Sequence, residues 1–176
     1  MADADAQLLA ALAEGRDEAF TELVRRYGPA LLRAGYTLIG DRIEAEDVVQ
    51  EVLVNLVRSR ARLPYVQHLS AYLFSALRHT AQRSIERLER DARHRRSWFA
   101  QTTPKHPSMS DDTTQLVEAM RSAVARLPLA QREVLALKLD GGFSFREIGE
   151  QLSISTNTAA SRYRYAIERL RAEIGE

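Results

Sequence analysis

Apolar side chains recur at helical spacing along most of the chain, and no stretch alternates apolar and polar positions as a half-buried strand does. The spacing first runs over residues 20–27 and resumes over 31–36, and Gly28-Pro29 between them predicts a helical hairpin. A wide apolar stripe over residues 48–57 predicts the next helix. The pattern therefore predicts an all-α protein.

Breaks in this pattern divide the chain. Pro64 interrupts it, and residues 68–96 then read as one long and increasingly basic helix. Residues 97–114 replace helical periodicity with prolines and a run of Ser, Thr and Asp, which predicts a flexible linker. We therefore expect two small helical domains, residues 1–96 and 115–176, joined by that linker.

The stretch from Ser144 onward predicts a pair of helices. Ser144 and Glu147 match a capping box, so a helix begins at about Phe145, and Ser155 is a suitable N-cap for a second helix from Thr156. Its inner stripe is expected to be Ala159, Tyr163, Ile167, Leu170 and Ile174. Short polar side chains and Arg on its outer face suit a major-groove reader, although a helical hairpin that only completes a core has the same pattern.

Composition and charge narrow the classes of protein. The 176 residues contain no Cys, which excludes disulfides and Cys-based zinc sites. A positive signal-peptide segment and an apolar run long enough to span a bilayer are both missing, so we expect a cytoplasmic protein without membrane insertion. Residues 1–57 carry 5 basic and 11 acidic side chains, whereas residues 58–105 carry 11 and 3. This asymmetry predicts surfaces for different partners.

Two blocks resemble, in order, regions 2 and 4 of the extracytoplasmic-function sigma factors. The first block carries the following matching positions: Ala19, Phe20, Leu23, Tyr27, Ala45, Asp47, Gln50, Glu51 and Leu53. The second, residues 127–171, has Leu-Pro, then Arg-Glu-Val-Leu, a glycine turn and a Glu-Ile helix-turn-helix. LuxR-type regulators share the helix-turn-helix, but they leave residues 19–57 unexplained.

The resemblance implies a sigma factor that binds core RNA polymerase and directs promoter recognition and DNA melting. Its core-polymerase-binding residues would be Asp47, Gln50 and Glu51, with Leu53 and Leu56 either adding an apolar anchor or packing internally. Its −10 element would be held by Tyr65, Tyr72, Arg78, His79, Gln82 and Arg83. Its −35 element would be held by Thr156, Asn157, Thr158, Ser161, Arg162, Arg164 and Tyr165. An anti-sigma factor is a further possible partner.

Some positions depart from the family pattern, so the promoter sequence does not transfer. Tyr72 and His79 stand where the family commonly has Trp and Asn, and Ala160 stands where a Lys is frequent. The linker resembles region 3.2, in which Asp111-Asp112 would mimic nucleic-acid charge, and a plain solvated tether is the alternative.

Other classes of protein were weighed against the sigma factor. A sigma mimic that sequesters an anti-sigma factor would not need the basic middle segment, and a LuxR-type regulator would act as a dimer. A di-metal carboxylate bundle needs Glu-x-x-His pairs, which no histidine here provides. We expect no catalytic residue, metal or cofactor, and no enzyme activity.

Overall fold

The computed structural model describes residues 2–98 and 112–174, with side chains over 5–93 and 119–173. Every regular element in these ranges is a helix, which confirms the all-α prediction. The first four α-helices, called the N-terminal unit, are α1 (Ala2–Ala13), α2 (Asp17–Ile39), α3 (Arg42–Arg58) and α4 (Leu69–Trp98), with a 3₁₀ segment at Arg60–Tyr65. The other four, called the C-terminal unit, are α5 (Asp112–Ala125), α6 (Leu129–Leu135), α7 (Phe145–Leu152) and α8 (Thr156–Ile174), with a π-helical turn at Ala136–Asp140.

The predicted hairpin at Gly28-Pro29 is wrong, because α2 runs through both residues. A proline inside a helix costs about 3 kcal/mol. Leu31 and Leu38, beyond the proline, are both buried, and each buried leucine contributes about 1.5–3 kcal/mol. Core packing therefore outweighs the local break, and α2 ends instead at Gly40, whose φ of +83° favours glycine.

The N-terminal helix α1 had no counterpart in the sequence analysis. It buries Leu12 completely in the common core. The Asp5 carboxylate accepts a 2.8 Å hydrogen bond from the Tyr27 hydroxyl and pairs with Arg26 at 2.9 Å, which ties α1 to α2. Burial, followed by this hydrogen bond to Asp5, raises the pKa of Tyr27 to about 12.

The two units share one hydrophobic core. Buried residues of both belong to the same cluster, including Leu38, Phe74 and Leu77 from the N-terminal unit and Val134, Leu137 and Phe143 from the C-terminal unit. The rings of Phe74 and Phe143 meet edge to face, with centroids 5.4 Å apart. A second, smaller cluster, which includes Leu127 and Leu170, lies within the C-terminal unit.

The predicted linker falls mostly outside the described residues. Helix α4 extends to Trp98 and α5 begins at Asp112, so both predicted linker ends are helical. The rest of residues 97–114, Asp111 included, lies beyond the described ranges. Among the described residues, no helix is long and apolar enough to cross a membrane.

Candidate polymerase and nucleic-acid interfaces

The helix-turn-helix forms where the sequence predicts it. The Ser144 hydroxyl accepts from the Glu147 amide and the Glu147 carboxylate accepts from the Ser144 amide, so the capping box that starts α7 is confirmed. The Ser155 hydroxyl accepts from the Thr158 amide at 3.0 Å and caps α8. Between the helices, a Cβ on Gly149 would lie 2.8 Å from the Ile154 carbonyl oxygen. Only glycine allows the turn to come this close.

Helix α8 separates an inner from an outer face. Ala159 and Leu170 are buried as expected, and the fully buried Ala166 is an inner residue that the sequence analysis missed. Among the predicted −35 residues, Thr156, Asn157, Arg164 and Tyr165 are exposed and Thr158, Ser161 and Arg162 are half-buried. The Arg164 side chain is 63% exposed and lies 3.8 Å from Glu168, a distance at which the pairing restrains it weakly.

The predicted −10 residues lie on α4 and on the segment before it. Tyr65, in the 3₁₀ segment, is 85% exposed. Tyr72, His79 and Arg83 follow at helical spacing on one face of α4, and the Tyr72 hydroxyl lies 3.3 Å from the Ser59 hydroxyl. Gln82 is half-buried beside this face. An exposed aromatic ring followed by a cation is the chemistry that an unstacked strand of DNA requires.

Arg78 departs from this face. Its side chain is only 18% exposed and its Nη1 lies 3.5 Å from the Glu133 carboxylate of α6. Its Nη2 donates to His79 Nε2 at 3.0 Å, and His79 Nδ1 lies 3.0 Å from the Ser75 carbonyl, to which it donates. Burial, and then the charges of Arg78 and Arg83, lower the pKa of His79. His79 is therefore a neutral hydrogen-bonding group at neutral pH.

An exposed stripe follows α3 on the side away from the core. The stripe, called the α3 stripe below, consists of Ile43, Asp47, Gln50, Val54 and Val57. Among the described side chains no hydrogen bond or ion pair involves Asp47 or Gln50. Of the groups predicted to bind polymerase, Asp47 and Gln50 are thus free, and exposed apolar side chains lie beside them.

The predicted apolar anchor needs a correction. Leu56 is 1% exposed and belongs to the core, so of its two expected roles it has the internal one. Leu53 is half-buried against the same core. The exposed large apolar residues of α3 are instead Ile43, at 72%, Val54, at 46%, and Val57, at 40%. Their spacing from Asp47 and Gln50, by seven or four residues, was the signal in the sequence that would have identified them.

Polar contacts join the predicted polymerase-binding helix to the predicted DNA-binding helix. Glu51 of α3, which lies at the edge of the α3 stripe, pairs with Arg83 of α4 at 3.1 Å. Glu44 accepts from both Ser84 and Arg87 at 2.8 Å. These contacts fix the register of α3 on α4, although exposed pairs of this kind add little stability. Among the described residues, no three His, Asp or Glu side chains are placed to hold a metal ion.

Comparisons with protein-family models agree with this arrangement, in which a helical N-terminal unit is followed by a helix-turn-helix. The family model for sigma-70 region 2 matches residues 23–91, and the model for sigma-70 region 4 matches residues 117–170. The chain belongs to the extracytoplasmic-function sigma factors of the sigma-70 family. Such a factor binds core RNA polymerase and directs transcription initiation at promoter DNA.

Individual relatives match over nearly the full length. The chain is 26% identical over 166 residues to the RNA polymerase sigma factor CarQ of Myxococcus xanthus, covering 93% of each chain. It is 27% identical over 173 residues to the sigma factor SigM of Mycobacterium tuberculosis, covering 97% of this chain and 85% of that one.

Two solved structures share the fold. The sigma factor RpoE of Bartonella quintana, in complex with the anti-sigma factor NepR, has a TM-score of 0.67 at 24% identity. The match covers 88% of this chain and 96% of that one. CnrH, in complex with the cytosolic domain of CnrY, has a TM-score of 0.67 at 25% identity and 96% coverage of both chains.

Proposed function

We propose that this sigma factor uses three separate surfaces. The α3 stripe, together with Glu51, binds core RNA polymerase. The exposed face of α4 and Tyr65 hold the opened −10 element, and the outer face of α8 reads the −35 element. The observation that supports this assignment is the exposure of one candidate group on each surface. Asp47 and Gln50 are exposed on α3, Tyr65 is exposed before α4, and Arg164 is exposed on α8.

The charge of each surface suits its partner. Asp47 and Glu51 offer carboxylates and Val54 an apolar contact, a mixture that fits a helical protein surface carrying cations. Arg83 offers a cation and His79 an uncharged ring on the same face of α4 as the half-buried Tyr72 ring, which suits phosphates and bases of a single strand. The polymerase would hold both DNA-binding surfaces at their promoter spacing, so weak individual contacts combine.

The test of this function is run-off transcription from genomic promoter fragments with core RNA polymerase and the full chain. We expect start sites that core polymerase alone does not produce. A sigma mimic or a LuxR-type regulator would add none, and that result would reject the proposed function.

Tyr65 provides a finer test of the −10 surface. Replacing Tyr65 with Ala removes an 85% exposed ring that supports no part of the fold, and base stacking on such a ring is worth about 1–3 kcal/mol. We expect Tyr65→Ala to slow formation of the open complex about tenfold or more, measured by permanganate footprinting, while Tyr65→Phe stays near wild type. Equal open-complex rates for Tyr65→Ala and wild type would remove Tyr65 from the −10 surface.

The remaining features of the proposal follow from the partners. A factor that acts with RNA polymerase acts in the cytoplasm and changes no covalent bond, so we assign it no enzyme activity. Because RpoE and CnrH were solved with anti-sigma partners, we also propose that an anti-sigma factor regulates this chain.

A further inference from the structure

The contact between the two units buries polar groups around its shared apolar core. Arg78 of α4 reaches Glu133 of α6, and the Arg132 guanidinium donates to the Leu38 carbonyl of α2. On the opposite rim, the Asp140 carboxylate accepts from Arg33 at 3.1 Å and from Thr37 at 3.4 Å. Burial outweighs the effects of Arg33 and Thr37 and raises the pKa of Asp140.

Some buried polar groups at this contact lack hydrogen-bond partners. The Nε atoms of Arg78 and Arg132 are buried without a hydrogen-bond partner among the described residues, and each such group costs about 1–3 kcal/mol. A cavity of about 10 Å³ remains beside Arg78 and Glu133, lined also by Leu38 and Leu137. The shared apolar core therefore supplies most of the attraction between the units, and these two unpaired groups reduce the net stability of the contact.

The promoter requires the units to separate. Elements centred about 35 and 10 base pairs upstream are about 25 base pairs apart, or about 85 Å at roughly 3.4 Å per base pair. A compact chain of this length has a radius of gyration of about 16 Å and a diameter of roughly 40 Å. One closed chain cannot place its two DNA surfaces on both elements.

Separation of the two units would change the surroundings of Arg78, one of the predicted −10 residues. Arg78 is a DNA-binding candidate, yet in the closed chain its charge faces the Glu133 carboxylate across the contact, where the two side chains are 18% and 13% exposed. A carboxylate and a phosphate offer a guanidinium the same kind of oxygen acceptors. Glu133 therefore offers Arg78 the same kind of acceptor that a DNA phosphate would offer.

We propose that Glu133 is an internal competitor for DNA: it holds Arg78 while the two units are closed and releases it to the DNA backbone when they separate. The inference rests on the proposed function for the −10 surface and adds Arg78 to that surface when the units are apart. It assigns to α6, which lies outside both predicted DNA surfaces, a role in keeping the free chain from DNA.

The test compares the free full-length chain with Glu133→Gln, which keeps the shape of the side chain and removes its charge. We expect Glu133→Gln to bind a mixed-sequence, 12-nucleotide single-stranded DNA about fivefold more tightly or better in fluorescence anisotropy, the low end of a typical coupling between two sites. The matched control is Glu150→Gln on α7, an exposed carboxylate paired with Arg146 at 2.9 Å, and it should bind as wild type does. Equal affinity of Glu133→Gln and wild type overturns the proposal.

Two further measurements separate the competitor from other effects. The gain should vanish in the double variant Glu133→Gln, Arg78→Gln, because the released group is then missing. A gain that persists in the double variant means that DNA binds elsewhere, and it also overturns the proposal.

A distance measurement follows opening itself. Because the chain has no Cys, dyes on Glu86→Cys and Glu168→Cys report the separation of the units, and energy transfer should fall in Glu133→Gln. Unchanged transfer contradicts the release step. Run-off transcription by the wild-type holoenzyme is scored separately, so failure of the sigma function is distinguished from failure of the competitor.

Discussion

Replacing Asp47 with Arg is expected to abolish stable binding to core RNA polymerase. Asp47 is exposed in the middle of the α3 stripe, and no described side chain pairs with it. An Arg there would place a cation against the polymerase groups that the carboxylate binds, and like-charge contacts at an interface cost several kcal/mol. We expect the affinity to fall about 100-fold or more, measured by titrating fluorescently labelled core polymerase.

The control for this variant reverses a charge elsewhere in the same unit. The Glu22 side chain of α2 is 41% exposed, and it forms an ion pair with Arg25, one turn later on the same helix. Glu22→Arg should therefore bind polymerase as wild type does. Both variants should melt within a few degrees of wild type, because exposed substitutions change stability by less than about 0.5 kcal/mol. Normal polymerase binding by Asp47→Arg would reject the α3 stripe as the docking face.

Local sequence signals correctly predicted the all-α fold class and the helix-turn-helix. Both depend on contacts between residues that lie close together in the sequence. The capping box needs only Ser144 and Glu147, three residues apart, and its two hydrogen bonds form as expected. The break at Gly28-Pro29 is also a local signal, but there the prediction failed. The packing of Leu31 and Leu38 against distant helices decides whether α2 continues, and no window of neighbouring residues contains that information.

The proposed polymerase-binding surface shows a second limit of what helical periodicity predicts. The α3 sequence has apolar residues on more than half of its circumference, so several of them had to be exposed, and spacing alone did not say which. In the folded chain Val52 and Leu56 are buried in the core, whereas Val54 and Val57 are exposed. The polar residues Asp47 and Gln50 indicated the exposed face of α3 better than the apolar residues did, because a charged side chain without a partner is rarely buried.

Contacts between the units were beyond any sequence pattern. Arg78 and Glu133 are 55 positions apart and belong to helices that the sequence analysis placed in different domains. The sequence of α4 alone does not distinguish Arg78 from the other cations of this basic helix. Only the folded chain shows that it faces a carboxylate, and that its neighbour Arg83 instead pairs with Glu51. Both arginines among the −10 candidates are therefore paired with carboxylates of other helices in the folded chain.

The second large effect is expected from replacing Arg164 on α8, the helix proposed to read the −35 element. Its side chain is exposed on the outer face of α8, one turn after Ser161, and Glu168 at 3.8 Å holds it only weakly. A good Arg contact to a base edge discriminates by about 1–3 kcal/mol. We expect Arg164→Ala to reduce binding of the holoenzyme to duplex promoter DNA about 10-fold to 100-fold, measured by anisotropy.

The salt dependence of the same titration identifies the kind of contact that is lost. If Arg164 binds a phosphate, the slope of log K against log salt falls by about one, whereas loss of a base contact changes the preference among mutated −35 sequences and leaves the slope unchanged. Arg169→Ala is the matched control, since Arg169 lies on the same helix, is 52% exposed and also has a carboxylate, Glu173, at 3.8 Å. Equal losses for Arg164→Ala and Arg169→Ala would mean that α8 attracts DNA by charge alone and that its N-terminal turns do not read the −35 element.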